Sequence, residues 1–204
     1  MDYKILIPSM GRCGSTLVAD SIAAVLNTKV HFVPNYHNAP DVKVLKTHAP
    51  YSGEPPYDYR AVYLWGNIGD IIHSLYEGRI SWGGDPRIGM QKHLQHLGIG
   101  LCEIGFFFEL LREDKDKAFE YLIEQDRLRL KTNCESWEYD LPRVLFIQYE
   151  SLCLSPEVYF GLISAHIDIR VPPPEIKPRQ SSMSKLPEHL QQLIRETYPA
   201  WMLP

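Results

Sequence analysis

The sequence of 204 residues lacks any long hydrophobic run. No stretch approaches the roughly 18 consecutive apolar residues that a membrane-spanning helix needs, and runs such as Ile104–Phe108 end too soon. Met1–Lys4 leads directly into the apolar Ile5–Ile7, without the charged region and long apolar region of a secretory signal peptide. We therefore expect a cytoplasmic protein without a transmembrane segment, whose chain begins inside its fold.

Cysteine is scarce, and none of the four cysteines stands in the close Cys-x-x-Cys pairs that structural zinc sites commonly use. Cys13, Cys102, Cys134 and Cys153 are scattered along the chain, which is typical of free thiols in a reducing compartment. We expect no metal site, and a disulfide is the less favoured alternative to free thiols.

Positive charge is also in short supply, since 21 lysines and arginines stand against 25 aspartates and glutamates, for a net charge of −4. Proteins that bind nucleic acids are usually basic, so we expect no nucleic-acid partner and only a local anion site. The hydrophobic content of 45% suffices for a folded core. Because no repeat or long linker divides the chain, residues 1–204 are predicted to form a single domain.

What the sequence does contain is an alternation of short apolar runs with stretches of helical spacing. Strands are predicted at Lys4–Pro8, Val42–Lys46, Ala61–Trp65 and Arg143–Gln148. Helices are predicted at Ser15–Leu26, Asn67–Arg79, Pro156–Ile167 and Pro187–Tyr198, with Phe106–Arg112 and Lys117–Lys131 as two further helices or one long one. Strands that alternate with helices through short connections predict an α/β fold with a mostly parallel sheet.

The segment after the first strand has the composition of an anion-binding loop. The strand enters a glycine-containing turn that opens directly into a helix, whose first amide groups and dipole favour a negative ligand. Gly11 and Gly14 allow a tight turn and the close approach of a ligand, and Arg12 adds a cation. The candidate binding residues of this loop are Ser9, Gly11, Arg12, Cys13, Gly14, Ser15 and Thr16.

Three known anion loops differ from this segment. The P-loop of nucleoside triphosphatases has a lysine before its Ser/Thr, whereas this chain reads Gly14-Ser15-Thr16. A cysteine phosphatase loop would need an arginine at the position of Ala19, and the dinucleotide fingerprint Gly-x-Gly-x-x-Gly does not occur. Taken alone, the segment also fits a plain turn that caps a helix.

Three further segments carry polar residues at the ends of predicted strands. The second strand ends in Lys46-Thr47-His48, and alternation along an extended chain places Lys46 and His48 on the same side. The third strand enters its helix through Trp65–Asp70, and the fourth ends in Tyr149-Glu150. Taken singly, a solvated lysine and an ordinary buried histidine are the commoner explanations of such a pair.

Together and in this order, the four segments resemble the sulfotransferases that use 3′-phosphoadenosine 5′-phosphosulfate (PAPS) as the donor. The phosphosulfate loop of that family is similar to Gly11–Thr16, and its Lys-Thr-His motif stands intact at residues 46–48. Its strand-to-helix segment is similar to Trp65–Asp70 followed by Ser74, and its Tyr-Glu pair to Tyr149-Glu150. The resemblance covers most of the first third of the chain and a stretch near residue 150.

The resemblance implies a three-layer α/β fold of the P-loop NTPase-like type and in-line transfer of a sulfuryl group from PAPS to a hydroxyl or amine acceptor. It implies that Arg12, Lys46 and the amides of residues 14–16 hold the phosphosulfate. His48 would take the proton of the acceptor, and Tyr149 would lie against the adenine. No metal is implied, because fixed cations take the part that Mg²⁺ plays in kinases.

Two departures from the family pattern concern the 3′-phosphate of the donor. Asn67 and Ser74 are expected to contribute hydrogen bonds there, but the family's arginine at the end of the third strand is replaced by Gly66. The family's C-terminal Arg-Lys-Gly loop is absent in that form, and the comparably basic stretch is Lys177–Lys185. We predict that Arg179 binds the 3′-phosphate, since a guanidinium can form two parallel bonds to it, with a plain surface loop as the alternative.

The acceptor is defined less well by the sequence. The resemblance implies that Glu77–His96 forms the acceptor wall, and this stretch contains Trp82, Gly83, Gly84, His93 and His96. These residues suit a small polar or aromatic alcohol, and they equally suit an ordinary loop. We expect a small-molecule, sugar, lipid or peptide acceptor, and the oligomeric state is open. Two other functions also stay open: a catalytically impaired protein that binds an adenine nucleotide, which Gly66 favours, and a P-loop-type small-molecule kinase, which should carry the missing lysine.

Overall fold

The computed structural model describes residues 3–78, 85–177 and 182–199. Two compact units share the chain: Met1–Gly66 with Asn133–Pro178 form the first, and Asn67–Thr132 with Arg179–Pro204 form the second. Both units are built from two separate stretches of sequence. The single domain expected from the sequence stays a prediction.

The first unit contains a five-stranded sheet in the order β2-β3-β1-β4-β5, in which every pair of neighbours is parallel. The strands are β1 (Lys4–Pro8), β2 (Val30–Phe32), β3 (Val44–Thr47), β4 (Tyr59–Trp65) and β5 (Val144–Gln148). Ile5, Leu6 and Ile7 at the centre of β1 are completely buried. Continuous apolar runs of this kind are typical of parallel strands that are covered on both faces. The predicted α/β fold with a parallel sheet flanked by helices is confirmed.

The helices of the first unit follow the strands closely. α1 (Ser15–Val25) packs on β1 and β3 through an apolar face that includes Val18, Ala19 and Ile22. α7 (Tyr149–Leu154) and α8 (Pro156–His166) follow β5 directly and pack on it. Because β1 and its two neighbours run in the same direction, the loops after their carboxyl ends lie at one edge of the sheet.

The described residues of the second unit include the helices α2 (Ile68–Tyr76), α3 (Pro86–His96), α4 (Leu101–Glu113), α5 (Lys115–Ile123) and α9 (Glu188–Thr197). Its apolar centre includes Phe107, whose ring meets the ring of Phe119 edge-on at 5.7 Å between centroids. Leu190 and Ile194 of α9 are also fully buried. Among the described residues, no helix has both the length and the apolar character needed to cross a membrane.

The middle of the chain differs from the sequence prediction. The predicted helix Lys117–Lys131 is in fact split, since α5 ends at Ile123 and a further helix, α6 (Leu130–Trp137), begins seven residues later. Gln125, Asp126 and Arg129 take left-handed backbone angles between these helices and interrupt the helical path. The three-residue strand β2 and the helices α3 and α7 were not predicted either, whereas all four predicted strands are present within a few residues.

Candidate active site

The loop between β1 and α1 is a sharp turn with an unusual backbone. Gly11, Arg12 and Gly14 all have positive φ angles, of 83°, 55° and 77°. Left-handed residues within a tight turn can direct successive backbone amide groups toward one side, as in the concave nests that bind anions. A left-handed conformation costs a non-glycine residue about 1–2 kcal/mol, so the strain at Arg12 marks this turn as a candidate functional element.

Helix α1 begins directly at the end of this turn. Its N-cap is Gly14, and in the described part of the chain no side chain caps the first turn of the helix. Ser15 is buried at the first helical position, and Thr16 is exposed beside it. The amide groups and the positive dipole end of α1 therefore face the turn, and its N-cap residue has no side chain that could accept from them.

Tyr149 lies directly against the loop. A Cβ atom built on Gly14 would stand 2.5 Å from Cδ2 and 2.7 Å from Cε2 of the Tyr149 ring. Glycine is thus needed at position 14 for two independent reasons, the positive φ angle and the close approach of this ring. β5 and α7 position the tyrosine, because Tyr149 is the first residue of α7 immediately after β5.

Lys46 extends from the end of β3 to the start of α1. Its Nζ donates a hydrogen bond of 2.5 Å to the Oγ1 of Thr16. Burial lowers the pKa of Lys46, Arg12 lowers it further, and Cys13 and Asp20 partly oppose the shift. Two cations therefore stand near each other at the mouth of the turn, where an anion would relieve their repulsion.

Cys13 contributes to the loop in a different way from its neighbours. The side chain is completely buried, and its thiol donates a hydrogen bond of 2.9 Å to the carbonyl oxygen of Leu64 in β4. This residue can therefore meet a ligand in the turn through its backbone and not through its sulfur. The four cysteines are all free thiols, as the sequence suggested.

His48 lies at the end of β3 and is 7% exposed. Its Nδ1 is 2.9 Å from the Oγ of Ser9 and 3.2 Å from the carbonyl oxygen of the same residue. A carbonyl oxygen can only accept, so this contact favours a proton on Nδ1 of His48. The pairing of β1 with β3 brings the two residues together, since Pro8 stands opposite Thr47.

A buried network behind His48 was missed in the sequence analysis. The Nδ2 of Asn133 in α6 donates a hydrogen bond of 2.6 Å to the carbonyl oxygen of His48, and Asn133 accepts one of 2.7 Å from the hydroxyl of Tyr63. Trp137 adds a bond of 3.2 Å from its Nε1 to the carbonyl oxygen of Ala49. Asn133 is 85 residues from His48 in sequence and stands in no recognisable motif, so no local signal could have identified it.

Gly66, at the end of β4, faces a carboxylate. A Cβ atom at this position would be 3.1 Å and 3.2 Å from the two carboxyl oxygens of Glu150, and 3.4 Å from the Cβ of Tyr149. The position at which the resembling family carries an arginine is therefore next to an acidic group in this chain.

The residues expected at the 3′-phosphate belong to the second unit or lie outside the described residues. Asn67 caps α2 and accepts a hydrogen bond of 3.1 Å from the backbone amide of Asp70, and Ser74 is buried on the same helix. Arg179 lies outside the described residues, as do Trp82, Gly83 and Gly84 of the expected acceptor wall.

The segment that follows Arg179 is anchored on α2 within the second unit. The backbone amide of Met183 donates a hydrogen bond of 2.8 Å to Asp70, and that of Ser182 donates one of 3.2 Å to Nδ1 of the buried His73. A Cβ atom on Gly69 would stand 2.6 Å from the Cγ of Met183, so glycine permits this close contact. The later part of the basic stretch is therefore held on α2.

The first unit thus brings together most of the predicted site residues: Ser9, Gly11, Arg12, Cys13, Gly14, Ser15, Thr16, Lys46, His48 and Tyr149. This arrangement offers two cations and a row of backbone amides to an anion, and an imidazole lone pair to a proton. No group of three or more acidic, cysteine or histidine side chains in the described ranges has the geometry to hold a metal ion.

Comparison with known proteins supports the fold. No protein-family model matches the sequence, and no curated protein matches it. A similar solved structure is that of the mouse sulfotransferase SULT7A1 complexed with PAP, with a TM-score of 0.52 and 14% sequence identity. The match covers 99% of this chain but 66% of the mouse chain, so this chain spans just under two thirds of that protein. At this identity the likeness shows the fold alone.

Proposed function

We propose that this protein is a sulfotransferase that moves a sulfuryl group from PAPS to a hydroxyl or amine acceptor. The observation that carries the proposal is the left-handed turn at Gly11 and Arg12, which opens onto the uncapped start of α1 with Lys46 and His48 beside it. The likeness of the fold to a sulfotransferase crystallised with PAP, the desulfated form of the donor, supports the same chemistry. We place this activity in a single cytoplasmic domain.

The residues of the loop fit such a donor. Arg12 and Lys46 supply positive charge, and the amides of residues 14–16 supply hydrogen-bond donors at the positive end of α1. Lys46 is partly desolvated, and a charged group in a drier environment interacts more strongly with an anion. We assign these residues to the phosphosulfate, and Tyr149, which packs on the same loop, to the adenine. When bound, PAPS supplies a sulfuryl group on a phosphate leaving group.

His48 is the proposed general base. With the proton on Nδ1 held by Ser9, the lone pair of Nε2 accepts the proton of the acceptor hydroxyl or amine. The acceptor atom forms the new bond to sulfur while the bond from sulfur to the phosphate oxygen breaks, and the electron pair of that bond leaves with the phosphate. Arg12 and Lys46 stabilise the negative charge that develops there, so fixed cations replace a metal ion.

The 3′-phosphate is assigned to α2 and to the basic stretch that follows residue 176. Asn67 and Ser74 donate hydrogen bonds, and Arg179 supplies the charge that Gly66 cannot. The anchoring of Ser182 and Met183 on α2 supports this assignment, because Arg179 stands three positions before Ser182 in the sequence. The acceptor is a small molecule, sugar, lipid or peptide with a free hydroxyl or amine.

A second candidate is a protein that binds an adenine nucleotide without transferring sulfate. The specific observation in its favour is the carboxylate of Glu150 next to Gly66, where the resembling family has an arginine. Loss of a cation beside a buried or partly buried anion site weakens binding strongly. The two candidates differ in turnover and in their preference for a 3′-phosphate.

Calorimetric titration separates these functions. We expect PAP to bind at least tenfold more tightly than adenosine 5′-monophosphate, and ATP to bind weakly. Arg12→Ala should abolish PAP binding, whereas Arg195→Ala, which changes an exposed arginine on α9, should leave it unchanged. Arg179→Ala should remove the preference for PAP over the monophosphate.

Turnover is then measured with ³⁵S-labelled PAPS and a panel of alcohols, sugars, lipids and peptides. Transfer of label to any of them supports the enzyme. PAP binding that survives Arg12→Ala would overturn the assignment of the loop. Tight PAP binding without transfer to any acceptor would favour the non-catalytic protein.

A further inference from the structure

A groove that the donor chemistry does not use runs along the second unit. Two adjoining cavities, of about 280 Å³ and 250 Å³, share the side chains of Arg87, Phe108 and Leu111. One extends along α3 and α4, and the other continues toward the end of α2 and the start of α5. Taken together they fall in the size range of small-molecule sites.

The lining of this groove is largely apolar. Leu75, Met90 and Phe119 are buried and form its floor, while Phe108 and Leu111 are half-buried along its length. Apolar side chains that line one groove together provide a surface on which the apolar part of a ligand can pack. The apolar part of a ligand would therefore lie on these side chains.

Three cations surround the same groove. Arg87 and Arg112 line it with exposed side chains, and in the described part of the chain no carboxylate forms an ion pair with either of them. The Nζ of Lys115 lies 3.6 Å from the centroid of the Tyr76 ring, and Glu77 is the acidic residue of the lining. This is a local excess of positive charge in a protein whose net charge is −4.

We propose that the groove binds a small amphipathic anion, with an apolar body on Phe108 and Leu111 and a terminal carboxylate, sulfate or phosphate at Arg87 and Arg112. A guanidinium pairs with such groups through two parallel hydrogen bonds, which fixes their orientation as well as their charge. The apolar floor excludes fully hydrophilic anions as good ligands, and the cations exclude neutral lipids. Its lining residues between Glu77 and Gln91 fall in the stretch that the resemblance assigns to the acceptor wall, but none of them belongs to the donor loop or is Asn67 or Ser74. Donor binding and binding in this groove can therefore be tested separately.

The test compares two probes that differ in their head group, decanoate and 1-decanol, by isothermal titration calorimetry. We expect saturable binding of decanoate and at least tenfold weaker binding of decanol. Arg87→Gln and Arg112→Gln should each weaken the binding of decanoate by about tenfold, since a lost hydrogen bond to a charged group reduces affinity by about this factor. The binding of decanol should be unchanged in both variants. Phe108→Ser should weaken the binding of both decanoate and decanol. Circular dichroism verifies that this variant is folded.

The matched control is Arg170→Gln, which removes an exposed arginine of the first unit. It should leave decanoate binding unchanged. Arg12→Ala should also retain decanoate binding while losing PAP, so the failure of one proposal can be distinguished from the failure of the other. Equal affinity for decanoate and decanol, no saturable binding of decanoate, or an equal loss in Arg170→Gln would overturn the proposal.

Discussion

At the scale of single residues, the hydrogen bonds of His48 define what it can do. Nδ1 contacts Ser9, and we assign Nε2 to the acceptor. The pair could be anticipated in part: alternation placed Lys46 and His48 on one side of a strand end, and both in fact contact the loop or the start of α1. The contact with Ser9 could not be read from the sequence, because it depends on which strand lies beside β3.

Replacing His48 tests its role as a base. We expect His48→Ala to lower turnover by roughly 10²- to 10⁴-fold, the usual contribution of a general base, and to leave PAP affinity nearly unchanged. His31→Ala is the control, since His31 is an exposed histidine of the neighbouring strand β2. Equal turnover of His48→Ala and the wild type would show that another residue is the general base, with His73, His93 and His96 as the next candidates.

The contact of Gly14 with Tyr149 makes a prediction about stability. Gly14→Ala should lower the free energy of unfolding by about 1–2 kcal/mol for the left-handed backbone, with a further loss of similar size from the clash with the ring. Adding Tyr149→Ala to Gly14→Ala should relieve the clash but not the backbone strain. Urea unfolding measures both effects.

The control for this pair is Gly161→Ala, because an added Cβ on this glycine of α8 meets nothing within 4 Å. That change should be neutral or stabilising, since alanine has the higher helix propensity. A Gly14→Ala variant as stable as the wild type would show that the ring and the loop are not in contact.

At the scale of elements, α6 holds the end of β3 through the buried side chains of Asn133 and Trp137. Asn133→Ala removes two hydrogen bonds and leaves the carbonyl of His48 and the hydroxyl of Tyr63 without these partners. We expect a loss of about 1–3 kcal/mol in the free energy of unfolding for each buried group that finds no other partner. Asn38→Ala changes an exposed asparagine and should have little effect on the free energy of unfolding.

A second variant separates the two bonds. Tyr63→Phe already removes the hydroxyl that bonds to Asn133. In that background, Asn133→Ala should therefore lower the free energy of unfolding by less than it does in the wild type. Fully additive effects of the two substitutions, measured by urea unfolding, would mean that Tyr63 and Asn133 do not interact.

The hydrogen bond between the end of α2 and the start of α5 should make stability sensitive to alkaline pH. Burial and the bond of 2.7 Å to Asp116 raise the pKa of Tyr76 to about 12. The folded protein therefore holds this proton more tightly than the unfolded chain, whose tyrosines titrate near pH 10. The contribution of Tyr76 is complete below about pH 10 and is lost as the pH rises toward 12.

Unfolding by urea between pH 8 and pH 12 measures this loss. Tyr76→Phe should flatten the decline in stability, although other half-buried tyrosines such as Tyr57 contribute to the decline as well. Tyr139→Phe is the control, because this tyrosine is 87% exposed. A decline that is equally steep in Tyr76→Phe and in the wild type would contradict the assignment.

The elements also show why some of the fold was predictable and some was not. Ile5–Ile7 and Val62–Leu64 read as strands because central parallel strands are apolar on both faces. β2 escaped detection because it has three residues at the edge of the sheet. The break after α5 was missed because left-handed residues such as Gln125 carry no glycine or proline signal in the sequence.

At the scale of the whole molecule, the chain passes between its two units three times, after residues 66, 132 and 178. Neither unit is a continuous piece of sequence, so neither can form fully without both halves of the chain. We therefore expect one cooperative unfolding transition, with equal calorimetric and van't Hoff enthalpies. Two separate transitions in differential scanning calorimetry would contradict the single domain expected from the sequence.

The inward orientation of the Cys13 thiol has a practical consequence for labelling. Surface thiolates attack maleimides and similar reagents. Cys13 is completely buried, and burial raises the pKa of the 2% exposed Cys134. Cys102 on α4 is exposed and Cys153 is half-buried. A fluorophore or spin label can therefore be attached at Cys102 of a Cys153→Ser variant, which leaves the anion loop in its native form for spectroscopic measurement.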